Sequence, residues 1–200
     1  MKKMIIELDP NEDIEKLDWN MIKTYGAFGV MIPLGDADYY GRVTANSFVE
    51  RCMEAAAENN LAVGVTVNIR CKDPFSAHEA AYNTVEIIKG YRSSLSLGIA
   101  YGLFERKRSC LIEQGKDGLT DTALSLLFET ERLGYSGVLY TDFIFADTYM
   151  DIERIKGRRF WGEENKKWNE KLLIRTAAEA DKNFIIELKH YKQNILYAKA

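Results

Sequence analysis

Two hydrophobic rhythms alternate along this chain. Short, nearly continuous apolar runs at Met4–Leu8, Phe28–Pro33, Leu61–Ile69, Leu95–Leu103 and Gly137–Tyr140 read as strands covered on both faces. Between them lie segments whose apolar residues step by three and four. Over Thr44–Asn60 these are Ala45, Phe48, Val49, Cys52, Met53 and Ala56, which predicts an amphipathic helix. Trp19–Tyr25 carries a shorter helical pattern with Gly26 at its exit. A further helix starts at Ser76, with Glu79 completing a capping box and Ala77, Ala80, Ala81, Val85, Ile88 and Tyr91 on its apolar face. Thr120 is positioned to cap a helix that ends near Leu133–Gly134.

The remaining segments are weaker. Leu34–Arg42, with GDADYYG inside it, reads as a polar loop, and Ser109–Ile112 as a short strand in the charged stretch 105–118. Phe160–Gly162 and Phe184–Leu188 read as strands, and Lys166–Ala180 as a helix.

Apolar strands alternating with helices predict an α/β protein with parallel strands and crossover helices. A doubly wound sheet and a small (β/α)-barrel both satisfy that order. Two hundred residues fit one ordinary domain but fall short of the roughly 250 of a full eight-unit barrel, so a barrel here has some helices reduced. With 46% hydrophobic and 28% charged residues the chain can bury a core without disulfides or metal. Cys52, Cys71 and Cys110 show no metal-ligand spacing and read as reduced thiols. A net charge of −3 gives no general pull toward nucleic acid. The apolar run after Lys2 and Lys3 is too short for an export signal, and no stretch has membrane-spanning length. The expectation is therefore a cytoplasmic protein, or one released without its own export signal, with no membrane or nucleic-acid partner. Contact with anything outside the cell would need lysis, a holin-type exit or fusion to another polypeptide.

In either architecture ligands meet the carboxyl ends of the strands. The polar residues there are Glu7 and Asp9, Asn68 and Arg70, Tyr101 and Glu105, Tyr140 and Asp142, then Glu187, His190 and Tyr191. Carboxylates beside tyrosines suit sugar chemistry, since ring faces stack on sugars and carboxylates act as acid, base or nucleophile. Phosphate-loop, dinucleotide, nucleophile-elbow and zinc-helix motifs are absent from the sequence. The basic runs ERKR and KGRRF read as solvated surface, and His78 as structural. No cofactor or metal is expected.

The segments IELDPN…KLDW, FGVMIPLGD, ANSFVERCMEAAAENNLAVGV, FSAHEAAYNTVEII, LTDTALSLLFETERLGYSGVLYTD and IELKHY follow one another in an order that resembles glycoside hydrolase family 25, the lysozyme-like muramidases. The resemblance runs from about residue 4 to 192. It implies a single irregular TIM-like (β/α)-barrel domain over 1–200, with peptidoglycan or a related amino-sugar glycan as ligand. It also places the first-strand acid on Asp9, or on Glu7 if two residues are inserted, and the last-strand acid on Glu187.

One departure outweighs these matches. The family carries Asp-x-Glu at the end of its fourth strand, with the glutamate as proton donor; the aligned positions here are Ala100 and Gly102. A general acid supplies typically about 10²–10⁴ in rate. The expectation is a degenerate barrel that binds a glycan without efficient hydrolysis, with Tyr101, Tyr140, Asn68 and Tyr191 as binding residues. The alternative is an active glycosidase whose acids have relocated among Glu7, Asp9, Glu105, Asp142 and Glu187.

Overall fold

The computed structural model describes residues 2–9, 17–91, 95–104, 110–162, 173–176 and 195–199. β1 (Lys2–Glu7) is followed by α1 (Trp19–Thr24), whose N-terminus is capped by Asp18 accepting from the Met21 N–H at 2.9 Å. β2 (Ala27–Ala37) is longer than its apolar core suggests. Leu34–Ala37, expected as loop, continues the strand and pairs with a short antiparallel β3 (Val43–Ala45). The cause is Gly35. Its φ of +153 and the close approach of β3, which would bring an added Cβ within 1.9 Å of the Thr44 carbonyl oxygen, demand glycine in a strand rather than a turn.

Because β3 takes up residues 43–45, α2 starts later than the periodicity predicts and runs Val49–Glu58, burying Val49, Cys52, Met53 and Ala56. β4 (Ala62–Ile69) leads to α3 (Pro74–Ile88). Asp73, not Ser76, is the N-cap there. Its carboxylate accepts from the Ser76 N–H at 2.7 Å, the Asp73 N–H donates in return to the Ser76 hydroxyl oxygen at 3.1 Å, and Pro74 occupies the first helical turn. The predicted apolar face of α3 is buried except for the half-exposed Tyr91.

β5 (Gly98–Gly102) is buried throughout. The expected strand at Ser109–Ile112 is instead helical in its described part, as α4 (Cys110–Glu113). α5 (Gly115–Arg132) begins five residues before Thr120. Thr120 thus lies inside the helix, where its hydroxyl donates to the Lys116 carbonyl and accepts from the Asp151 N–H. β6 (Gly137–Tyr140) is followed by two short helices, α6 (Phe143–Tyr149) and α7 (Ile152–Ile155), then β7 (Arg159–Gly162). Residues 173–176 form a strand, β8 (Leu173–Thr176), where a helix was expected. The predicted strand at 184–188 lies outside the described residues. β9 (Ile195–Lys199) completes the sheet.

The strand order is β8-β7-β6-β5-β4-β2-β1-β9. Neighbours are parallel from β8 through to β1, and β9 alone runs antiparallel to β1. β8 and β9, at opposite ends of that order, come back into contact, so the sheet curls into an irregular TIM-like barrel. The helices pack outside it. The larger apolar cluster joins the outer sheet face to α2, α3 and α5. Each fully buried large aliphatic there, such as Ile32, Met53 or Ile88, is worth about 1.5–3 kcal/mol. A smaller cluster of Ile5, Met31, Ala100, Val138 and Trp161 fills the other face. Gly64 makes room for it: a Cβ there would lie 2.4 Å from the Met31 sulfur.

Candidate functional site

Side chains alternate along a strand, so residues paired across parallel neighbours point to one face. Two pairing rows matter. Thr66, Ala100 and Val138 are in register, and beyond them Asp36, Asn68, Gly102, Tyr140 and Trp161. Ala100, Val138 and Trp161 belong to the inner cluster. The second row is therefore the inner rim at the carboxyl ends of the strands, the barrel mouth. Glu7, in register with the inner residue Met31, ends β1 on the same face.

Across this mouth the Tyr140 hydroxyl donates to Glu7 Oε2 at 2.8 Å. β1 and β6 are four strand steps apart in the sheet order, about 19 Å if the sheet were flat. No tyrosine and glutamate could bridge that span, so the bond exists because the sheet curls. The Tyr140 ring meets Phe104 edge-on at 4.9 Å and Trp161 at 6.5 Å between centroids. These contacts fix the ring and aim its hydroxyl inward.

Ala100 is fully buried among the inner apolar residues. The space an inward side chain at Gly102 would enter is already taken. An added Cβ would lie 2.9 Å from the Phe104 ring and 3.0 Å from Asn68 Oδ1. The two positions where the resemblance expects paired carboxylates thus face the barrel interior and hold a methyl group and a hydrogen.

The structure brings Glu7, Asn68 and Tyr140 together at the mouth. Asp9 is half-buried just past β1. Asp142, also half-buried, caps α6 by accepting from the Phe145 N–H at 2.7 Å. Tyr101 is a correction to the expected binding set. Alternation turns it away from Ala100 and Gly102, and it is buried on the outer face with its hydroxyl bonded to Thr130 of α5. Burial there pushes its phenol well above the usual range. Glu105, Glu187 and Tyr191 lie outside the described residues.

Three rim residues escape a reading from sequence. Asp36 sits in the inner row and receives Arg70 at 3.3 Å. It is hidden by the turn-like run around Gly35. Phe104 and Trp161 carry no chemical signature of their own, and only alternation from β5 and β7 points to them.

His78 is half-exposed on α3 and contacts Glu129 at 3.1 Å. Arg132 donates to both oxygens of the same buried carboxylate at 2.6 Å. The group is a structural clamp between α3 and α5. Cys52, Cys71 and Cys110 are free thiols. Among the described residues, no cluster of three or more His, Cys, Asp or Glu side chains could hold a metal ion, and no helix is long and apolar enough to cross a membrane.

No protein-family model matches the chain, and no curated protein matches it in sequence. Solved structures do match in shape. The modular autolysin LytC from Streptococcus pneumoniae, in complex with a synthetic peptidoglycan ligand, superposes with a TM-score of 0.72 at 16% identity, over 98% of this chain and 46% of that one. The spore cortex lytic enzyme SleM of Clostridium perfringens matches with a TM-score of 0.72 at 9% identity, over 98% of this chain and 66% of that one. GHIP, a glycosyl hydrolase 25 of Streptococcus pneumoniae, matches with a TM-score of 0.61 at 10% identity, over 98% and 85%. The chain thus spans less than half the length of the autolysin it resembles. Its fold is that of the family 25 lysozyme-like barrels, as the order of its motifs implies.

Proposed function

We propose that this barrel binds a peptidoglycan-type or related amino-sugar glycan at its mouth without hydrolysing it efficiently. The observation that carries the reading is the pair Ala100 and Gly102, inward-facing at the end of β5 with no carboxylate between them. Glycosidic cleavage needs one carboxylic acid to protonate the leaving oxygen and a second carboxylate to act as nucleophile or base. The described carboxylates of the inner rim are engaged otherwise, Glu7 by the Tyr140 hydroxyl and Asp36 by Arg70. What remains suits recognition. Tyr140 and Phe104, both half-buried, offer aromatic edge and face with Trp161 packed behind them, while Asn68 and the two carboxylates can bond sugar hydroxyls and amides. The fold supports the ligand class, since the autolysin that shares it is seen with a peptidoglycan ligand.

The test is incubation of purified peptidoglycan with the folded protein at high concentration. The expected result is sedimentation with the insoluble wall and no release of reducing ends. Release above background overturns the non-hydrolytic reading.

A second reading keeps catalysis and moves its acids. It is favoured by Glu7 and Asp36, two carboxylates on the inner rim. Asp9, Asp142, Glu105 and Glu187 are its other candidates. Under this reading Glu7→Gln, Asp36→Asn or Glu187→Gln abolishes release that the wild type shows.

A further inference from the structure

We propose a second glycan subsite outside the barrel, an aromatic platform made by Tyr39 and Tyr40 with Lys72. This inference rests on the glycan-binding reading above and extends it. The turn that joins β2 to β3 presents two adjacent tyrosines to solvent, 46% and 59% exposed, their rings edge-to-face at 5.2 Å. The Lys72 ammonium lies over both rings, 5.3 Å from Tyr39 and 4.8 Å from Tyr40, and the Arg42 guanidinium lies 5.7 Å from Tyr40. Phe75, in the first turn of the neighbouring helix α3, is 74% exposed.

Two exposed tyrosines on a loose loop would carry no argument. This turn is rigidly built. Asp38 accepts from the N–H groups of Tyr40 and Arg42 and from the Arg42 guanidinium. Gly41 packs so tightly on α3 that an added Cβ would sit 2.1 Å from the Ser76 carbonyl oxygen, and Asn83 donates to the Gly41 carbonyl at 2.9 Å. Rings already held in place spare a ligand the ordering cost of binding.

The platform is also continuous with the mouth. Tyr39 follows the rim residue Asp36 by three positions, and its carbonyl receives the Lys72 N–H at 3.3 Å, two residues beyond the Arg70 that holds Asp36. A polymer seated at the mouth can run out over Asp36 and Arg70 onto the tyrosines.

Charge selects the polymer. Arg42, Arg70 and Lys72 are matched by Asp36, Asp38 and Asp73 in the same stretch, so no electropositive funnel draws a polyanion such as single-stranded nucleic acid. The two ring faces stand at 80° to each other, so each can take the face of one sugar ring among balanced hydrogen-bonding groups, and the cation over the rings suits a carboxylate-bearing amino sugar.

The experiment is calorimetric titration of the full chain with chitin oligomers, disaccharide against hexasaccharide, using wild type, Tyr39→Ala, Tyr40→Ala, Tyr40→Phe and Tyr140→Ala, each checked for fold by circular dichroism. The platform predicts that Tyr40→Ala weakens hexasaccharide binding about tenfold, leaves disaccharide binding unchanged, and is rescued in Tyr40→Phe. Hexasaccharide binding lost in Tyr140→Ala but untouched in both platform alanine variants overturns the platform while sparing the mouth. If neither oligomer binds wild type, the glycan reading itself fails and the platform with it. Binding of a single-stranded oligonucleotide that Tyr40→Ala abolishes, with glycan affinity unmoved, overturns the platform in favour of a polyanion.

Discussion

Tyr140 and Glu7, 133 positions apart in sequence, join hands across the barrel mouth through a 2.8 Å hydrogen bond from phenol to carboxylate. A bond to a charged acceptor is worth more than one between neutral groups. This one also fixes how far the first and sixth strands stand apart.

Tyr140→Phe removes the donor but keeps the edge contacts with Phe104 and Trp161. The expected cost is about 1–2 kcal/mol in urea unfolding, together with weaker glycan binding. A melt identical to wild type would show that the pair does not tie the barrel.

Ala100→Asp places a carboxylate among Ile5, Met31, Val138 and Trp161. An unpaired buried charge of this kind costs about 3 kcal/mol or more. Gly102→Glu must push aside the Phe104 ring. The double variant is therefore expected to be markedly less stable, and Phe104→Ala to recover part of the loss by opening space beside residue 102. Equal melting temperatures for the double variant and wild type would contradict the packing described here. If the rebuilt pair folds, release of reducing ends from peptidoglycan tests whether the mouth can support glycosidic cleavage once the two carboxylates are supplied.

Acid should loosen the clamp between α3 and α5. Arg132, bonded to the buried Glu129 carboxylate, holds that acid below its usual value near 4.5, with His78 adding to the effect. A carboxylate depressed in the folded state stabilises fully above its unfolded pKa, and that stabilisation is lost as pH falls through the folded value. Melting temperature followed from pH 7 down through the carboxylate range should fall more steeply for wild type than for Glu129→Gln. The variant should already be about 1–2 kcal/mol less stable at neutral pH. Parallel profiles would remove the clamp.

Thiol reactivity should separate the three cysteines. Burial pushes Cys52 up to about 11 and Cys71 up to about 12, while Cys110 is half-buried. Alkylation of the native protein near neutral pH should modify Cys110 first, with Cys52 and Cys71 protected until unfolding. Peptide mass spectrometry after a short pulse checks the order, and early labelling of Cys71 would contradict it.

Much of the barrel is legible in the sequence because its strands are nearly continuous apolar runs and its main helices repeat every three or four residues. Errors arise where a local signal has two meanings. Gly35 and Asp36 look like a turn, yet the glycine serves the close approach of β3, and the strand carries Asp36 onto the rim. Tyr101 stands at a strand end, but the alternation that turns Ala100 and Gly102 inward turns Tyr101 outward. Asp142 follows a strand end as the sequence indicates, and its cap on α6 is a second role that the sequence does not announce. The contact between Tyr140 and Glu7 has no local trace at all, since it depends on how far the whole sheet curls.

β9 lies antiparallel to β1, with Lys199 opposite Lys2. Both ends of the described chain therefore leave the barrel side by side, at the pole opposite the mouth. Whatever is joined to either end, whether a neighbouring module, an immobilising tag or a surface, would hold the barrel from behind and leave its opening facing outward. A short linker between the two ends should permit circular permutation, with new termini opened at the Lys156–Gly157 turn between α7 and β7, without disturbing the rim.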